Sequence, residues 1–397
     1  MTEPQIAILG AGPTGLEAAL AAAECGLAFT LYEAAPRVAG HVRSWGHVSL
    51  FTPWSMNVSP RMRAALEAAG VPVPHGADAD ACPTGDELAE RLLEPIAALP
   101  AIAPNLRLSS RVLAIGREGL LKHEEISSAA RAARPFRLLV ADGEGNERIE
   151  RATVVIDTTG TYSNPNLLGD GGIPAPGELA LDGEVRRSLP NFAREGDWGG
   201  KTVLVVGAGH SAQTAVRDLA KSAHATRVIW AVRNSVHSCG ADEVDALPER
   251  GRLLFEAAAF ANGASRAVEL KSGVAVESLR RSGEKIEVDL RSDERVETVV
   301  VDRVLSLTGF VPDDRMYRQL QIHECYAFSA PMKLSAALLG AAGGGGDCLA
   351  QTSHGVDTLV NPEPNFYILG IKSYGRNTNF LMRVGWEQVG EVFGRIE

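Results

Sequence analysis

The chain has 397 residues, of which 45% are hydrophobic and 22% charged, so it is long enough for two or three domains with sizeable cores. Its net charge is −10 and no basic tract exceeds two residues, which argues against a nucleic-acid partner. Five cysteines without a CxxC pair argue against a disulfide framework, a zinc site and a dithiol redox centre, and favour a reducing, cytoplasmic compartment. Neither a secretory leader nor a membrane span is expected, because the first apolar helix is short and interrupted by Glu17 and Glu24.

The first predicted strand, at residues 5–9, runs into a glycine-rich turn and a helix of small residues. In a dinucleotide-binding turn, the first glycine permits the tight turn and the second lets the backbone approach the pyrophosphate. The third lets helix and strand pack closely. The next strand ends in an acid at the offset of about twenty residues where a carboxylate accepts ribose hydroxyls. These features predict a dinucleotide site formed by Gly10, Gly12, Pro13, Thr14, Gly15 and Glu33.

A β-meander is predicted next, from the stretches "LRLSSRVLAIG", "FRLLVADGEGNERIE" and "ATVVIDTTG". The insertion at 118–135 is interpreted as a helical excursion without an assigned role. The stretch 163–178 is dense in glycine and proline, which predicts a crossing into a second domain.

The same plan then repeats, and this internal duplication is the strongest signal in the sequence. The strand at 203–206 leads into a second glycine turn and a helix, with alanine in place of the third glycine, and the next strand ends in arginine. An arginine can fork onto a 2′-phosphate that a carboxylate would repel. The second turn is therefore predicted to bind NADPH through Gly207, Gly209, His210, Ser211, Ala212 and Arg233. The alternatives are a solvated strand-end charge for Arg233 and a helix cap for His210.

A second meander follows, and "LTGFVPDD" at 307–314 predicts the return crossing. The order of both glycine turns, "TTG" and "LTGF" resembles the two-dinucleotide-binding-domain flavoproteins over nearly the whole chain. The resemblance implies an α/β fold of two Rossmann-like domains, each with a β-meander, in which the NADPH domain is inserted into the FAD domain. It implies FAD at the first turn and NADPH at the second. It places the FAD-binding domain at 1–165 and 307–397, the NADPH-binding domain at 166–306, and the cofactors beside Gly160 and Gly309.

Shorter motifs indicate which branch of this family the chain resembles. The disulfide reductase branch carries paired cysteines near the flavin, which this chain lacks. "TTGTYSNP" and "LSLTGFVPD" resemble the flavin-containing monooxygenase and N-hydroxylase branch, and so does "VAGHVRSW", which implies cofactor contacts for Arg43 and Trp45. One departure precedes the second turn, where Leu181 and Arg187 replace the Phe and His of that branch.

"FTPWSMNVSPRM" resembles the stretch in which that branch carries Asn-x-Ser near the reactive carbon of the flavin. The resemblance makes Asn57 a candidate catalytic residue that hydrogen-bonds an oxygen adduct or the nicotinamide amide. The alternative is a turn residue ahead of a helix at 60–69.

The stretch 367–389 lies where this family contributes its contacts to the flavin ring, and it contains an unusually polar set of residues. The flavin contacts predicted there are Lys372, Tyr374, Asn377 and Asn379, with Arg376 as a further candidate. His41, Trp45 and Trp54 are candidates to flank the ring or the substrate.

The predicted function is an FAD-dependent, NADPH-consuming oxidoreductase acting on a small organic molecule, foremost a flavin monooxygenase that uses O₂. One alternative is a reductase or dehydrogenase that passes electrons to a quinone, a carrier or a substrate double bond. The other is a flavoprotein that senses nucleotides without catalysis. No metal site is predicted, because the histidines and acids lack metal-ligand spacing. The sequence indicates neither the substrate nor the oligomeric state.

Overall fold

The chain forms two compact units in the computed structural model, which describes residues 5–74, 79–196, 198–221, 226–234, 245–293, 295–342 and 351–396. The first unit comprises Met1–Asn164 and Val311–Glu397, and the second comprises Pro165–Phe310. The second unit is therefore inserted into the first.

The described strands, in chain order, are β1 (Gln5–Leu9), β2 (Ala28–Tyr32), β3 (Leu106–Arg107), β4 (Arg111–Arg117), β5 (Phe136–Ala141), β6 (Glu147–Ala152), β7 (Val154–Asp157), β8 (Val185–Arg186), β9 (Thr202–Val206), β10 (Arg227–Val232), β11 (Val268–Ser272), β12 (Ala275–Ser282), β13 (Lys285–Ser292), β14 (Arg295–Val301), β15 (Arg303–Ser306), β16 (Glu324–Cys325), β17 (Ala330–Pro331) and β18 (Phe366–Ile368).

The described helices are α1 (Pro13–Glu24), α2 (Gly40–Ser44), α3 (Trp54–Asn57), α4 (Pro60–Ala68), α5 (Gly85–Leu88), α6 (Glu94–Ala97), α7 (Ala129–Ala132), α8 (His210–Lys221), α9 (Pro248–Ala261), α10 (Met332–Ala342), α11 (Val356–Leu359), α12 (Ile371–Tyr374) and α13 (Met382–Ile396). A π-helical turn at Ala89–Leu93 joins α5 to α6. The glycine-rich stretch at 340–347, which the sequence predicts as a mobile loop, begins within α10, and its residues 343–347 lie outside the described residues.

The first unit is built on a parallel sheet of strand order β18-β7-β1-β2-β3, with the antiparallel meander β4-β5-β6 as a separate sheet. Alternate residues of β1 enter different cores, as the two-residue period of a strand requires. Ile6 and Ile8 pack with α1, α4 and α13, whereas Ala7 and Leu9 pack with residues of β4 and β5. The parallel sheet is thus buried on both faces, between helices and meander.

The sequence alternation predicts one strand region over "LRLSSRVLAIG", but the structure divides this stretch between two sheets. Leu106 and Arg107 pair in parallel with β2, whereas Arg111–Arg117 pair with β5 in the meander. Ser109, with a φ of 47°, lies between the two pieces and redirects the chain.

The second unit repeats this plan, with a parallel sheet of order β11-β10-β9-β15-β8 and the meander β12-β13-β14. Leu204, Ile229 and Ala231 of the sheet share a core with buried residues of all three meander strands. The predicted fold class, two Rossmann-like units each carrying a β-meander with the second inserted into the first, is confirmed.

The insertion at 118–135 contains a single helical turn, α7, and is fastened by buried charges. The Glu363 side chain accepts hydrogen bonds from Arg117 Nε at 2.6 Å and from Arg131 Nη2 at 2.8 Å. All three of these side chains are completely shielded from solvent. The Gln321 backbone N–H also donates to the Glu363 carboxylate at 2.8 Å. The insertion is therefore anchored to the segment that precedes β18.

Within the described ranges, no helix combines the length and the apolar character needed to cross a membrane.

Candidate dinucleotide-binding sites

The first glycine turn connects β1 to α1, and its three glycines meet different surroundings. Gly10 has a φ of 94°, and a Cβ on it would lie 3.0 Å from the Thr158 carbonyl oxygen. A Cβ on Gly15 would lie 1.8 Å from the Gly10 carbonyl oxygen, whereas a Cβ on Gly12 would meet nothing within 4 Å. Gly12 also caps α1, whose first residue is Pro13. The turn is thus closed toward the protein and open over Gly12, at a helix N-terminus that can bind an anion.

Glu33 follows β2, and its carboxylate lies against the glycine turn. Ala11 N donates to Glu33 Oε2 at 2.8 Å, and Ala35 N donates to Oε1 at 2.9 Å. An ionised carboxylate has about four acceptor positions, so each oxygen can accept one further bond. The pair of ribose hydroxyls of a dinucleotide matches that remaining capacity.

The C-terminal segment packs directly on this turn through Thr14. A Cβ on Gly370 would lie 2.8 Å from Thr14 Oγ1, and a Cβ on Gly385 would lie 3.0 Å from the same atom. Gly370 N donates to Gln388 Oε1 at 2.9 Å, which ties the end of β18 to α13. The structure therefore brings residues near 370 and the first turn of α13 to the predicted FAD turn.

Lys372 lies in a buried ion pair. Its Nζ donates to Asp157 Oδ2 at 2.7 Å and to Thr159 Oγ1 at 3.0 Å, and lies 5.0 Å from the centre of the Tyr317 ring. Asp157 Oδ1 accepts hydrogen bonds from both the backbone N–H and the hydroxyl of Thr159. Gly160 follows with a φ of 72°. The ammonium group thus stabilises the "TTG" turn after β7. Sequence reasoning missed Asp157 as its partner, although an acid inside an apolar strand is a signal for a buried cation.

Asn57 is 1% exposed, and its side chain closes a turn with Thr52. Thr52 Oγ1 donates to Asn57 Oδ1 at 2.7 Å, and Asn57 Nδ2 donates to the Thr52 carbonyl oxygen at 2.8 Å. These contacts run back to Thr52, ahead of α3, and not forward to α4. The other hydrogen of Nδ2 has no partner among the described residues, so a second hydrogen bond from this amide remains chemically available.

Trp45 contacts the start of the helical stretch from α5 to α6, and Arg43 contacts its end. Arg43 Nη2 forms an ion pair with Glu94 Oε1 at 2.7 Å, an oxygen that Arg37 also contacts. A Cβ on Gly85 would lie 2.8 Å from the Trp45 ring, and the Trp45 and Tyr162 ring centres are 6.1 Å apart. The structure thus places Trp45 beside Tyr162, close to the "TTG" turn in sequence.

The other aromatic candidates near this turn differ in position. The His41 ring lies 6.1 Å from that of Tyr162. Desolvation lowers the pKa of His41, which favours its neutral form. Trp54 is a core residue, 1% exposed, with the Arg91 guanidinium 5.1 Å from its ring centre.

Tyr374 is completely buried, and its ring packs edge-on against Phe380 at 5.2 Å. Its hydroxyl has no hydrogen-bond partner in the described parts of the chain. Burial, and then the charge of Glu387, raise the pKa of Tyr374 to about 12, so the hydroxyl stays protonated at neutral pH. Asn377 Oδ1 accepts from Asn379 N at 3.0 Å in the exposed loop before α13. Tyr374 is thus a buried donor, whereas the two asparagines shape the loop.

The second glycine turn connects β9 to α8 with the same division of roles. Gly207 has a φ of 132°, and a Cβ on it would lie 2.3 Å from the Leu307 carbonyl oxygen. A Cβ on Gly209 would meet nothing within 4 Å. Ala212, on α8, is fully buried, and its Cβ lies 3.5 Å from where a Gly207 Cβ would be. Alanine therefore fits at the third position, and the space over Gly209 is open.

The residues at this edge of the sheet are polar or basic. His210 and Ser211 are exposed at the start of α8, and Arg233 is exposed directly after β10 without an ion pair to any described residue. Sequence reasoning missed Arg250, whose positive charge adds to desolvation in lowering the pKa of His210. The signal for it is Pro248, since proline favours the first helical position and so marks the start of α9 beside the sheet.

Gly309 and Arg187 lie elsewhere in the second unit. Gly309 has a φ of 86°, and its carbonyl oxygen accepts from Asn166 N at 2.9 Å. Arg187 Nη1 donates at 2.8 Å to Glu178, a fully buried carboxylate, and Nη2 donates to Asp182 at 2.9 Å. The residue that departs from the monooxygenase pattern is thus a structural anchor.

Among the described residues, no group of histidine, cysteine and acidic side chains has the arrangement of a metal site.

Comparison with known proteins supports the fold. Residues 8–67 match the model of the NAD(P)-binding Rossmann-like domain. Solved structures are similar over the whole chain, including a bacillithiol disulfide reductase from Bacillus cereus, at 17% identity, 99% and 98% coverage of the two chains and a TM-score of 0.70. An ornithine N-hydroxylase from Kutzneria sp. 744, in a complex with reduced FAD, NADP⁺ and L-ornithine, has 16% identity, 99% coverage of each chain and a TM-score of 0.64. A flavin-containing monooxygenase from Stenotrophomonas maltophilia has 15% identity, full coverage of both chains and a TM-score of 0.57.

Comparison with curated proteins finds no match. The structural likeness shows that the chain has the fold of the two-dinucleotide-binding-domain flavoproteins. That fold is shared by the monooxygenases and by a disulfide reductase, so the fold alone does not separate these two branches.

Proposed function

We propose that this chain is an FAD-dependent oxidoreductase that consumes NADPH, and that it is a flavin monooxygenase acting on a small organic molecule. The observation that carries the proposal is the pair of glycine turns. Each turn leaves space open over its second glycine, at the N-terminus of a helix. A carboxylate accepts a hydrogen bond from the first turn, whereas an arginine follows the strand next to the second turn. Two turns with opposite charges suit two different dinucleotides.

The residues of the first unit fit FAD. The open space over Gly12 would take the pyrophosphate, and the free acceptor positions of Glu33 would take the ribose hydroxyls. The "TTG" turn, held by Lys372, and the start of α13 would flank the flavin, with Tyr374 as a buried hydroxyl donor. FAD, when bound, would accept hydride from NADPH and supply the redox chemistry.

The residues of the second unit fit NADPH. The backbone at Gly209 would approach the pyrophosphate, and Arg233 would bind the 2′-phosphate. No acid stands at the position that Glu33 occupies in the first unit, so the carboxylate that would repel a 2′-phosphate is missing from the end of that strand.

Asn57 is our proposed catalytic residue for the oxygen reaction. The turn with Thr52 fixes the plane of its amide and leaves one N–H for a donor role. A donor held in a buried position can stabilise charge that develops on oxygen without reorganising first.

The experiment starts from purified protein with its bound flavin, which heat should release as FAD. NADPH is added without oxygen to measure flavin reduction, and the reduced protein is then mixed with oxygenated buffer in the presence of candidate substrates. We expect fast reduction and oxygen use coupled to product. Asn57→Ala should keep the reduction rate and release hydrogen peroxide in place of product, and Asn57→Asp should be worse because a carboxylate donates nothing.

Thr52→Val is the matched control, because it removes one bond of the turn and keeps the amide of Asn57. If this variant uncouples oxygen use as strongly as Asn57→Ala does, Asn57 acts only through the turn. If Asn57→Ala forms product as efficiently as the wild type, it has no catalytic role.

A reductase or dehydrogenase is the second candidate, favoured by the closed Asn57–Thr52 turn and by the likeness to the bacillithiol disulfide reductase. It predicts fast reduction by NADPH, slow reaction with oxygen and rapid reoxidation by a quinone, a carrier or a substrate double bond. Absence of any reduction by NADPH would instead support a nucleotide-sensing flavoprotein.

A further inference from the structure

A buried hydrogen bond ties the segment that carries Asn57 to helix α1. Ser59 is the N-cap of α4, where its hydroxyl oxygen accepts from Met62 N at 2.9 Å and its O–H donates to Glu17 Oε2 at 2.6 Å. Glu17 is the fifth residue of α1 and is 1% exposed, and Ser59 is completely buried. The acid that interrupts the first apolar helix thus has a defined partner at the start of α4.

Glu17 also forms an ion pair with α4. Its Oε1 accepts from Arg61 Nη1 at 2.6 Å, and Arg61 Nε donates to Glu24 Oε2 at 2.7 Å. The Arg61 side chain is 23% exposed and supplies the countercharge that the buried carboxylate requires. The two oxygens of Glu17 therefore have separate partners, so a substitution can remove either contact by itself.

The side-chain contacts of Asn57 fix its orientation but not its distance from α1. Its partner Thr52 belongs to the same segment, so the turn that they form moves as a unit. Ser59 follows Asn57 after a single extended residue, and this stretch of chain spans about 7 Å. Apolar packing in the shared core also holds the segment, but that packing is non-directional, whereas a hydrogen bond sets a distance.

We propose that Glu17 is a positioning residue for Asn57 and that, through Ser59, it sets the distance between the Asn57 amide and the cofactor. This inference rests on the proposed function, in which the FAD pyrophosphate lies over Gly12 at the start of α1. The first turn of α1 then holds the cofactor, and the next turn holds the Asn57 segment, so one rigid helix fixes both. A carboxylate suits this task, because an O–H···O⁻ bond is short and stronger than a neutral one.

Glu17→Ala is the test variant, because it removes the acceptor and leaves the Ser59 cap of α4 in place. Hydrogen–deuterium exchange of the flavin-loaded protein is measured at the backbone amides of α3, among them Ser55 N, which donates to the Ala79 carbonyl oxygen at 3.0 Å. We expect exchange there to be about ten- to a hundredfold faster than in the wild type, as loss of one charge-assisted hydrogen bond predicts.

The second readout is the ratio of product to hydrogen peroxide when reduced protein reacts with oxygen and candidate substrates. Glu17→Ala should lower this ratio about ten- to a hundredfold, because a misplacement of about 1 Å can cost a hundredfold. Flavin reduction by NADPH should be unchanged. If Glu17 acts through Asn57, the double variant of Glu17→Ala with Asn57→Ala should have the ratio of Asn57→Ala alone, because such residues are not additive.

Arg61→Met and Glu17→Gln are the matched controls. Arg61→Met removes the ion pair on the same carboxylate, so it should lower the melting temperature, but it keeps the bond between Ser59 and Glu17 and should not change the ratio. Glu17→Gln keeps an oxygen that accepts from Ser59, so it should restore most of the ratio that Glu17→Ala loses. If Arg61→Met lowers the ratio as strongly as Glu17→Ala does, lost stability is the cause and the inference is overturned.

The outcomes separate this inference from the proposed function. If no product forms, or if Asn57→Ala keeps the wild-type ratio, the proposed function fails, and the exchange measurement alone decides whether Glu17 anchors α3. Unchanged exchange at α3 in Glu17→Ala overturns the inference, and so does a double variant that is worse than either single one. If Glu17→Ala does not fold, Ser59→Ala takes its place with the same expectations, because it removes the same bond and keeps the pair of Glu17 with Arg61.

Discussion

Removal of the Lys372 ammonium tests whether the buried pair under the "TTG" turn holds the first unit together. Lys372→Met leaves Asp157, which is fully shielded from solvent, without its cation. Breaking one side of a buried ion pair costs about 3–5 kcal/mol of unfolding free energy. In a unit of roughly 250 residues, each kcal/mol shifts the melting temperature by about 2–4 °C, so the expected fall is about 6–20 °C.

The double variant Asp157→Asn with Lys372→Met removes both charges and keeps an acceptor for Thr159. We expect it to recover at least half of the lost stability, because the cost arises from the unpaired charge and not from the pair. Lys122→Met is the matched control in the same unit, since Lys122 is exposed and its one hydrogen bond to the described residues goes to the Arg318 carbonyl oxygen. Its effect should stay below about 1 kcal/mol.

Thermal unfolding is followed by circular dichroism, and FAD affinity is measured on the same samples. A melting temperature for Lys372→Met within about 2 °C of the wild type would refute the reasoning. If the double variant regains stability but binds FAD more than about tenfold more weakly, which corresponds to 1.4 kcal/mol, Lys372 contacts the flavin directly. We expect FAD affinity to return together with stability, because the described bonds of Nζ point to Asp157 and Thr159.

Two further predictions address the remaining charges. Arg233→Ala should weaken the binding of NADPH about ten- to a hundredfold and leave the binding of NADH unchanged in steady-state kinetics, because it removes one charge-assisted contact. Equal losses for both cofactors would show that Arg233 does not contact the 2′-phosphate. Glu363→Gln should lower the free energy of unfolding, measured with urea, by about 3–5 kcal/mol, because two buried guanidinium groups lose their carboxylate partner. Glu118→Gln, in a surface pair with Arg151, should lose less than about 1 kcal/mol, and matching midpoints for these two variants would contradict the role of Glu363.

Local patterns in the sequence were enough to predict the duplicated architecture. Local backbone sterics set the two-residue period of β1 and β9 and the need for glycine after each strand. Both features are therefore visible in a short stretch of sequence. The split of the stretch from 106 to 117 was not predictable in this way. Its first part pairs with β2, more than seventy residues earlier, so the choice of sheet depends on a distant strand.

The buried charges were also not predictable from the local sequence. The insertion at 118–135 is polar in sequence and was interpreted as an excursion without a role, yet Arg131 is completely buried. Its partner Glu363 lies 232 residues further along the chain. A polar residue in a loop gives no sign of burial when the group that compensates it comes from another part of the sequence.

The structure therefore changes which charges are candidates for binding ligands. Lys372 and Arg43 stood out in the sequence because they lie in motif-rich stretches, but each is already paired, with Asp157 and Glu94 respectively. A charge already paired inside the protein gains little from a ligand, because its desolvation cost is offset by the existing partner. Arg233 is exposed at a sheet edge without a described partner, so a phosphate would supply its first ion pair. Charge at the carboxyl edge of the second sheet, more than the polarity of the motifs, thus identifies the residues through which this unit would recognise a dinucleotide.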